Sequence, residues 1–286
     1  MTNSVPLLQI DAFADRPFAG NSAAVCLLEQ ETPEAWMQAF AAEMNLAETA
    51  YVRPLPPDDR GKRYELRWFT PEVEAPLCGH ATLATAHALW SEGRAAGGES
   101  IRFVTKSGEL SAARDGDLIE LDFPATPAAR CDADPALLAA LGIEKVLFAG
   151  RTSVEDTLLV LESAEQVRSL RPDFARLAKL PGRGVMATAP SDEEPYDFVS
   201  RFFAPAVGID EDPVTGSAHC GLGPYWAQRL GKQQLVGRQL SRRGGTVRVR
   251  LAGDRVKLGG RAITIFRGSV SAEALPTEVA PVSRSS

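Results

Sequence analysis

The chain has 286 residues, 44% apolar and 24% charged, a composition that excludes a disulfide-stapled miniature and a wholly disordered chain. With 31 Lys and Arg against 37 Asp and Glu the net charge is −6, so no global basic field invites nucleic acid. The longest apolar runs, such as Ala23 to Leu28, fall far short of the ~18 residues that span a bilayer, and no charged-then-apolar leader opens the chain.

Four scattered cysteines without a C-x-x-C pair fit a reducing cytoplasm, and three histidines are too few for a multi-histidine metal centre. The expectation is a cytoplasmic protein of two domains that binds neither membrane, nucleic acid nor metal.

In chain order, Phe18-Ala19-Gly20-Asn21-Ser22 has turn composition. Asn21 there either serves the turn itself or presents its amide to a ligand. Thr32-Pro33-Glu34 opens a helix, with Thr32 as cap, Pro33 in the first position and an acidic first turn. Trp36, Phe40 and Met44 supply its apolar stripe, Asn45 ends it, and Glu48 to Val52 reads as a strand. Gly79-His80 opens a second helix running to about Trp90 and ending near Gly93. A hairpin turns at Asp115-Gly116-Asp117, and Phe123 to Ala129 has linker composition. Pro172-Asp173-Phe174 starts a further helix, Val185 to Thr188 a strand, and Gly216-Ser217 a second Gly-led helix. Ala252-Gly253-Asp254 turns a second hairpin, and the tail 272–286 loses periodicity and is expected to fray.

These elements repeat. Ala75-Pro76-Leu77-Cys78-Gly79-His80-Ala81-Thr82 resembles Asp212-Pro213-Val214-Thr215-Gly216-Ser217-Ala218-His219, an offset of 137 residues (79 to 216). Gly108 to Leu121, with its Gly116-Asp117 turn, resembles Gly245 to Leu258 with Gly253-Asp254, again 137 apart. Two separate blocks sharing one offset indicate duplication. The reading is an α+β protein of two pseudo-symmetric halves, 1–126 and 127–271, each wrapping strands about a Gly-led helix. Matching Pro33 to Pro172 sets Glu48 opposite Ala187, so the copies differ there.

Several residues stand out chemically. A helix N-terminus offers unpaired N–H groups and a positive dipole end, and Gly79 and Gly216 would let an anion approach both backbones. Glu48 shares a strand face with Leu46 and Ala50. Turned inward it would be desolvated and its pKa raised, as a group that takes and returns a proton requires; on an edge strand it would sit in water. His80 lies in the first helical turn, where the dipole favours neutral imidazole. Cys78 precedes Gly79, where the helix end can stabilise a thiolate, but its repeat partner is Thr215 and no matching second thiol exists. Asp212 either orients His80 or a substrate amine, or stabilises its turn. His87 and His219 read as packing residues, and Arg248 and Arg250 as a solvent-facing hairpin edge.

At these residues the sequence resembles the phenazine-biosynthesis F (PhzF) family within the diaminopimelate-epimerase-like superfamily. The matching stretches are Ile10-Asp11-Ala12-Phe13, Gly20 to Val25, Glu43 to Thr49, Phe69-Thr70-Pro71, Gly79-His80 and Glu211 to Ala218. The resemblance implies two barrel-like halves, each around a central helix, a cleft between them, a homodimer and no cofactor. It implies Glu48 as catalytic acid/base, with His80, Asp212 and Ser217 beside the substrate and the Gly79 and Gly216 amides lining the cleft. The family's characterised reaction isomerises dihydro-hydroxyanthranilate by a proton shift. The phenazine-making branch has Ala and Pro flanking its Gly-His pair, two alanines in place of Pro213-Val214 and an Ala at His219, so its substrate is not implied here.

Three functions remain open from sequence. The first is a cofactor-independent isomerase moving a proton on a small carboxylate, with Glu48, His80 and Asp212 catalytic and Asn21, Cys78, Gly79, Thr215, Gly216 and Ser217 binding substrate. The second is an epimerase or racemase using Cys78 with Glu48 or His80. The third is a ligand- or partner-binding protein that has lost turnover.

Overall fold

Residues 4–275 are described by a computed structural model, and their elements follow the duplicated order. The first copy runs β1 (Pro6–Ala12), β2 (Asn21–Leu27), α1 (Glu34–Met44), β3 (Glu48–Asp58), β4 (Gly61–Phe69), β5 (Glu74–Ala75), α2 (Gly79–Ser91), β6 (Ile101–Thr105), β7 (Gly108–Asp115) and β8 (Leu118–Pro124). The second runs β9 (Ala129–Arg130), α3 (Pro135–Leu141), β10 (Phe148–Arg151), β11 (Asp156–Val160), α4 (Ala164–Ser169), α5 (Phe174–Leu177), β12 (Gly184–Pro190), β13 (Phe198–Ala204), β14 (Ile209–Asp212), α6 (Gly216–Leu230), β15 (Gln234–Gln239), β16 (Gly245–Ala252), β17 (Arg255–Gly260) and β18 (Ala262–Ser269).

The pairings repeat as well. β2 and β11 run parallel to β3 and β12, which turn back antiparallel onto β4 and β13. Those in turn lie parallel to β6 and β15. Both expected hairpin turns are present, and Leu110, Ala112, Ile119 and Leu121 are buried like their counterparts Val247, Val249, Val256 and Leu258. β8 pairs with β17 and so joins the copies into one ladder.

Each central helix is enclosed by its sheet. From His80 to Trp90 nearly every α2 residue is buried, which suits a helix rich in Ala and Leu with no polar face. Thr82 and Thr85 satisfy their hydroxyls on the carbonyls of Cys78 and Ala81. In α6, Pro224 has no N–H to give to Cys220, and the freed carbonyl accepts from Thr126 N at 3.0 Å. The inner core joins both helices, from Leu83 and Leu89 to Leu222 and Trp226. Outside it, α1 covers one half with Met37 and Ala41, and α3 to α5 cover the other with Leu137, Val167 and Leu177.

Five local expectations change. Helix α1 begins at Glu34, and Pro33, not Thr32, is its cap residue; Thr32 instead bonds the Gln30 carbonyl. Its buried face is Met37 and Ala41, with the Trp36–Phe40 stack only half-buried beside them. The helix at Phe174 lasts four residues, so the likeness to α1 is weak. The 123–129 stretch is no free linker, since Ala125 N is held by Asp254 O and Thr126 N by Cys220 O. Of the tail, 272–274 form a 3-10 turn whose Ala274 carbonyl accepts from Trp36 Nε1 at 2.7 Å; residues 276–286 lie outside the described residues.

β18 pairs with β1, whereas its repeat counterpart β9 pairs with β10. Residues 262–269 therefore lie in the first half's sheet, not in that of 127–261.

A matched pair of ion pairs fixes the register between the copies. Arg67 grips Glu74 through Nε and Nη2 and lies over Phe69; Arg201 grips Glu211 the same way and lies over Phe203. Phe69 pairs with Thr49, and Phe203 with Val185. The residue before each is thus Glu48 in one copy and Gly184, not Ala187, in the other. Segments of unequal length between helix and strand displaced the alignment made from the prolines.

Candidate active site

The two Gly-led helix starts meet. A Cβ added to Gly79 would lie 3.4 Å from Gly216 Cα, so glycine at both positions lets the backbones touch. Beside this contact is a cavity of about 190 Å³ lined by residues of both copies, among them Glu48, His80, Arg183, Asp212 and Ser217. It lies below the ~300–1,000 Å³ of sites for drug-sized ligands, so its occupant is small. One wall is apolar, with Phe123 and Phe202, and half-exposed Leu77, Val154 and Val207 contribute further apolar surface.

Glu48 opens β3 and is 9% exposed. His80 Nε2 lies 3.1 Å from its Oε2, out of line for a hydrogen bond, and that oxygen has no hydrogen-bond donor among the described residues. Burial works against a charged imidazole at His80, but the Cys78 sulfur within hydrogen-bond reach of its Nδ1 and the Glu48 carboxylate beside its Nε2 outweigh it and raise its pKa well above the ordinary value. This reverses the sequence expectation that the helix dipole would keep it neutral. His80 Nδ1 faces Cys78 Sγ at 3.5 Å.

Asn21 is not a turn residue but the first of β2, and it is buried. Its Nδ2 donates to Asp212 Oδ1 (2.7 Å) and to the Val214 carbonyl (3.0 Å), tying the second half to the first, and also lies 3.1 Å from His80 Nδ1. With its two hydrogens so committed, the Asn21 amide is turned to its protein neighbours, and it is not among the described residues that line the cavity. The loop before it is fixed by buried Asp11, which accepts from Phe18 N and from Arg243, whose Nε bonds the Gly20 carbonyl.

Asp212 ends β14, half-buried, and its carboxyl is pushed up to about 6. Burial is the main cause and the Glu48 charge adds to it, against His80 and the donors Thr215 and Asn21. Thr215 donates its hydroxyl to Asp212 Oδ2 (2.6 Å) and its N–H to Gln239 Oε1 (2.9 Å). Gln239, fully buried, closes the loop by donating to the Asp212 carbonyl. Sequence reading missed this residue, which lies in no motif.

Cys78 does not carry the expected thiolate. Burial and the Glu48 charge push its thiol up to about 11, so at neutral pH it is protonated. Glu48, Cys78 and His80 offer ligand atoms within 4.8 Å of one another, an O, S, N set of the kind Zn²⁺ accepts. Coordination there would have to strip the thiol and would occupy the Glu48–His80 pair. His219 is structural: its Nδ1–H is donated to the Thr215 carbonyl at 2.8 Å and burial lowers its pKa to about 4. His87 lies 3.0 Å from Thr264 Oγ1, away from the cavity.

The sequence profile of the family described as Phenazine biosynthesis-like protein matches residues 10–268. The chain belongs to this family. An uncharacterized isomerase of Halalkalibacterium halodurans is 44% identical across 93% of this chain and 98% of its own. A second, from Pseudomonas aeruginosa, is 48% identical across 92% and 97%. The crystal structure of a PhzF-family protein from Enterococcus faecalis matches with a TM-score of 0.87 at 42% identity, covering 94% of this chain and 99% of that one. A PhzF-family isomerase/epimerase fold thus brings Glu48, Cys78, Gly79, His80, Asp212, Thr215, Gly216 and Ser217 to one cavity, with Asn21 behind it. It adds Arg183, which sequence reading passed over because its place becomes visible only once the register sets Gly184 opposite Glu48. Among the described residues no helix is long and apolar enough to cross a membrane.

Proposed function

We propose that this PhzF-family chain is a cofactor-independent isomerase that shifts a proton on a small carboxylate in the cavity between its halves. One observation carries the reading: Glu48, a buried carboxylate on the cavity wall, stands beside His80, and its Oε2 has no hydrogen-bond donor among the described residues. A carboxylate placed so, with His80 as its one charged neighbour on the cavity wall within ion-pair distance, is positioned to exchange a proton with a bound substrate. Glu48 takes a proton from a carbon of the substrate, the electron pair moves along an adjacent double bond, and the protonated Glu48 returns the proton at the far carbon. No electrons are gained or lost, so proton carriers alone suffice.

His80, charged beside Glu48, stabilises the negative charge that develops on the substrate. Asp212 supplies a second acid/base group on the opposite copy. The N-termini of α2 and α6, opening at Gly79 and Gly216, add dipole ends toward an anion. The alternative in which Cys78 acts as an epimerase base is weakened by the protonated state of its thiol.

The test is incubation with small unsaturated carboxylates in D2O. The wild-type protein incorporates deuterium at carbon, and Glu48→Gln, which keeps the shape and removes the base, loses the exchange by about 10²–10⁴-fold. Undiminished exchange in Glu48→Gln overturns the assignment. We further propose a cytoplasmic homodimer, for which light scattering giving a monomer would be the contrary result.

A further inference from the structure

The cavity already holds two acidic groups, Glu48 and Asp212, and an anionic substrate entering it meets their repulsion. Among the described residues that line it, Arg183 is the only Lys or Arg. We infer that Arg183, braced by Asp156 and Ser217, receives the anionic group of the substrate and so sets both the charge class and the orientation of what binds. This rests on the proposed reading of the cavity as the site of proton transfer, and it assigns the acid to the second copy's side.

The position is built, not incidental. Arg183 N donates to the Glu155 carbonyl at 3.0 Å. Gly182 precedes it at φ +113°, where an added Cβ would lie 2.9 Å from the same carbonyl. Arg183 Nη2 bonds the carboxylate of fully buried Asp156 and donates to Ser217 Oγ at 3.0 Å, and the guanidinium lies over the Phe202 ring, 5.4 Å from its centroid. Nε and Nη1 have no hydrogen-bond partner among the described residues, and Nε is buried. The guanidinium is fixed from behind, its Nη2 hydrogens are committed and its Nε is buried, so Nη1 is the donor left to meet an anion in the cavity.

The repeat adds an independent argument. Ser217 is the counterpart of His80, and Gly184 that of Glu48. A side chain at 184 is impossible without movement, because its Cβ would lie 2.3 Å from Phe202 Cζ. The preceding Arg183 reaches the helix start instead. Where one copy sets a carboxylate against an imidazole, the other sets a guanidinium against a hydroxyl, so the two ends of one cavity have opposite chemical tasks. Phe123 and Phe202 between them favour a flat hydrocarbon body. The implied ligand is a small unsaturated or aromatic acid.

Calorimetric titration with benzoate and with its neutral isostere benzamide tests this. The wild-type protein prefers benzoate, and Arg183→Gln loses about 10- to 100-fold in benzoate affinity, the scale of a charged hydrogen-bonded contact, with benzamide unchanged. Because Asp156 is buried, Arg183→Gln is paired with Asp156→Asn in a second variant that leaves no uncompensated charge and shows the same loss. Equal benzoate affinity in wild type and either folded variant overturns the inference, as does a wild type without preference for benzoate at millimolar concentration. Glu48→Gln keeps the preference for benzoate, so failure of the proton-transfer reading is distinguishable from failure of this one.

Discussion

The two ends of the cavity are built from the same structural unit and differ in the side chains they present. At the first, Glu48 stands against His80; at the second, Gly184 is bare and Arg183 reaches Ser217. The supports differ in parallel. Asn21 ties His80's neighbourhood to Asp212, whereas Asp156, paired in the ladder with Gly184 as Ala23 is with Glu48, braces Arg183. The matched Arg67–Glu74 and Arg201–Glu211 pairs show that the scaffold itself was left alone. Duplication supplied two helix ends facing each other, and divergence at the strand ends set a carboxylate beside one and a guanidinium beside the other.

Making the first end like the second has the largest effect. Glu48→Gly, which copies Gly184, is expected to lower exchange into carbon by about 10²–10⁴-fold while binding of benzoate persists. The reverse direction acts on stability. Gly184→Ala places a methyl against the Phe202 ring and is expected to cost about 1–3 kcal/mol in chemical denaturation.

Asp212 gives a pH signature that Ala75, its counterpart, cannot. Its folded pKa, about 6, lies above the usual aspartate value, so its stabilising contribution is complete below pH ~4 and is lost as pH rises through 6. Relative to Asp212→Asn, the wild-type protein should therefore lose on the order of 1–3 kcal/mol between pH 4 and 7.5, read from urea melts at both ends. A difference that grows in the wild type's favour with rising pH would contradict the burial assigned to this group.

The smallest effect is at the Cys78–Thr215 pair. Brief alkylation at neutral pH should label exposed Cys131 and leave Cys78 unmodified in intact-mass and peptide spectra, because that thiol is buried and protonated. Rapid labelling of Cys78 would restore the thiolate reading.

Much of this was legible from the sequence, because duplication converts weak local signals into a shared register. The 137-residue offset located both helix starts and both hairpins. Local chemistry did less well. Pro33 was read inside the helix it caps, and Asn21 was read as a turn although it is buried against three partners. Arg183 and Gln239 were invisible because strand pairing is what brings their side chains to the site, and pairing is set by tertiary contacts that no local pattern encodes. The crossing of β18 to β1 was hidden for the same reason.

The division of labour between the two ends is tested most directly by deuterium wash-in, followed against concentration of an unsaturated carboxylate that the wild-type protein exchanges. Arg183→Gln should need a higher concentration for half-maximal exchange while reaching a maximal rate near wild type, and Glu48→Gln should lose the maximal rate. Exchange that survives in Glu48→Gln, or a maximal rate that collapses in Arg183→Gln with no change in half-saturation, would contradict the account.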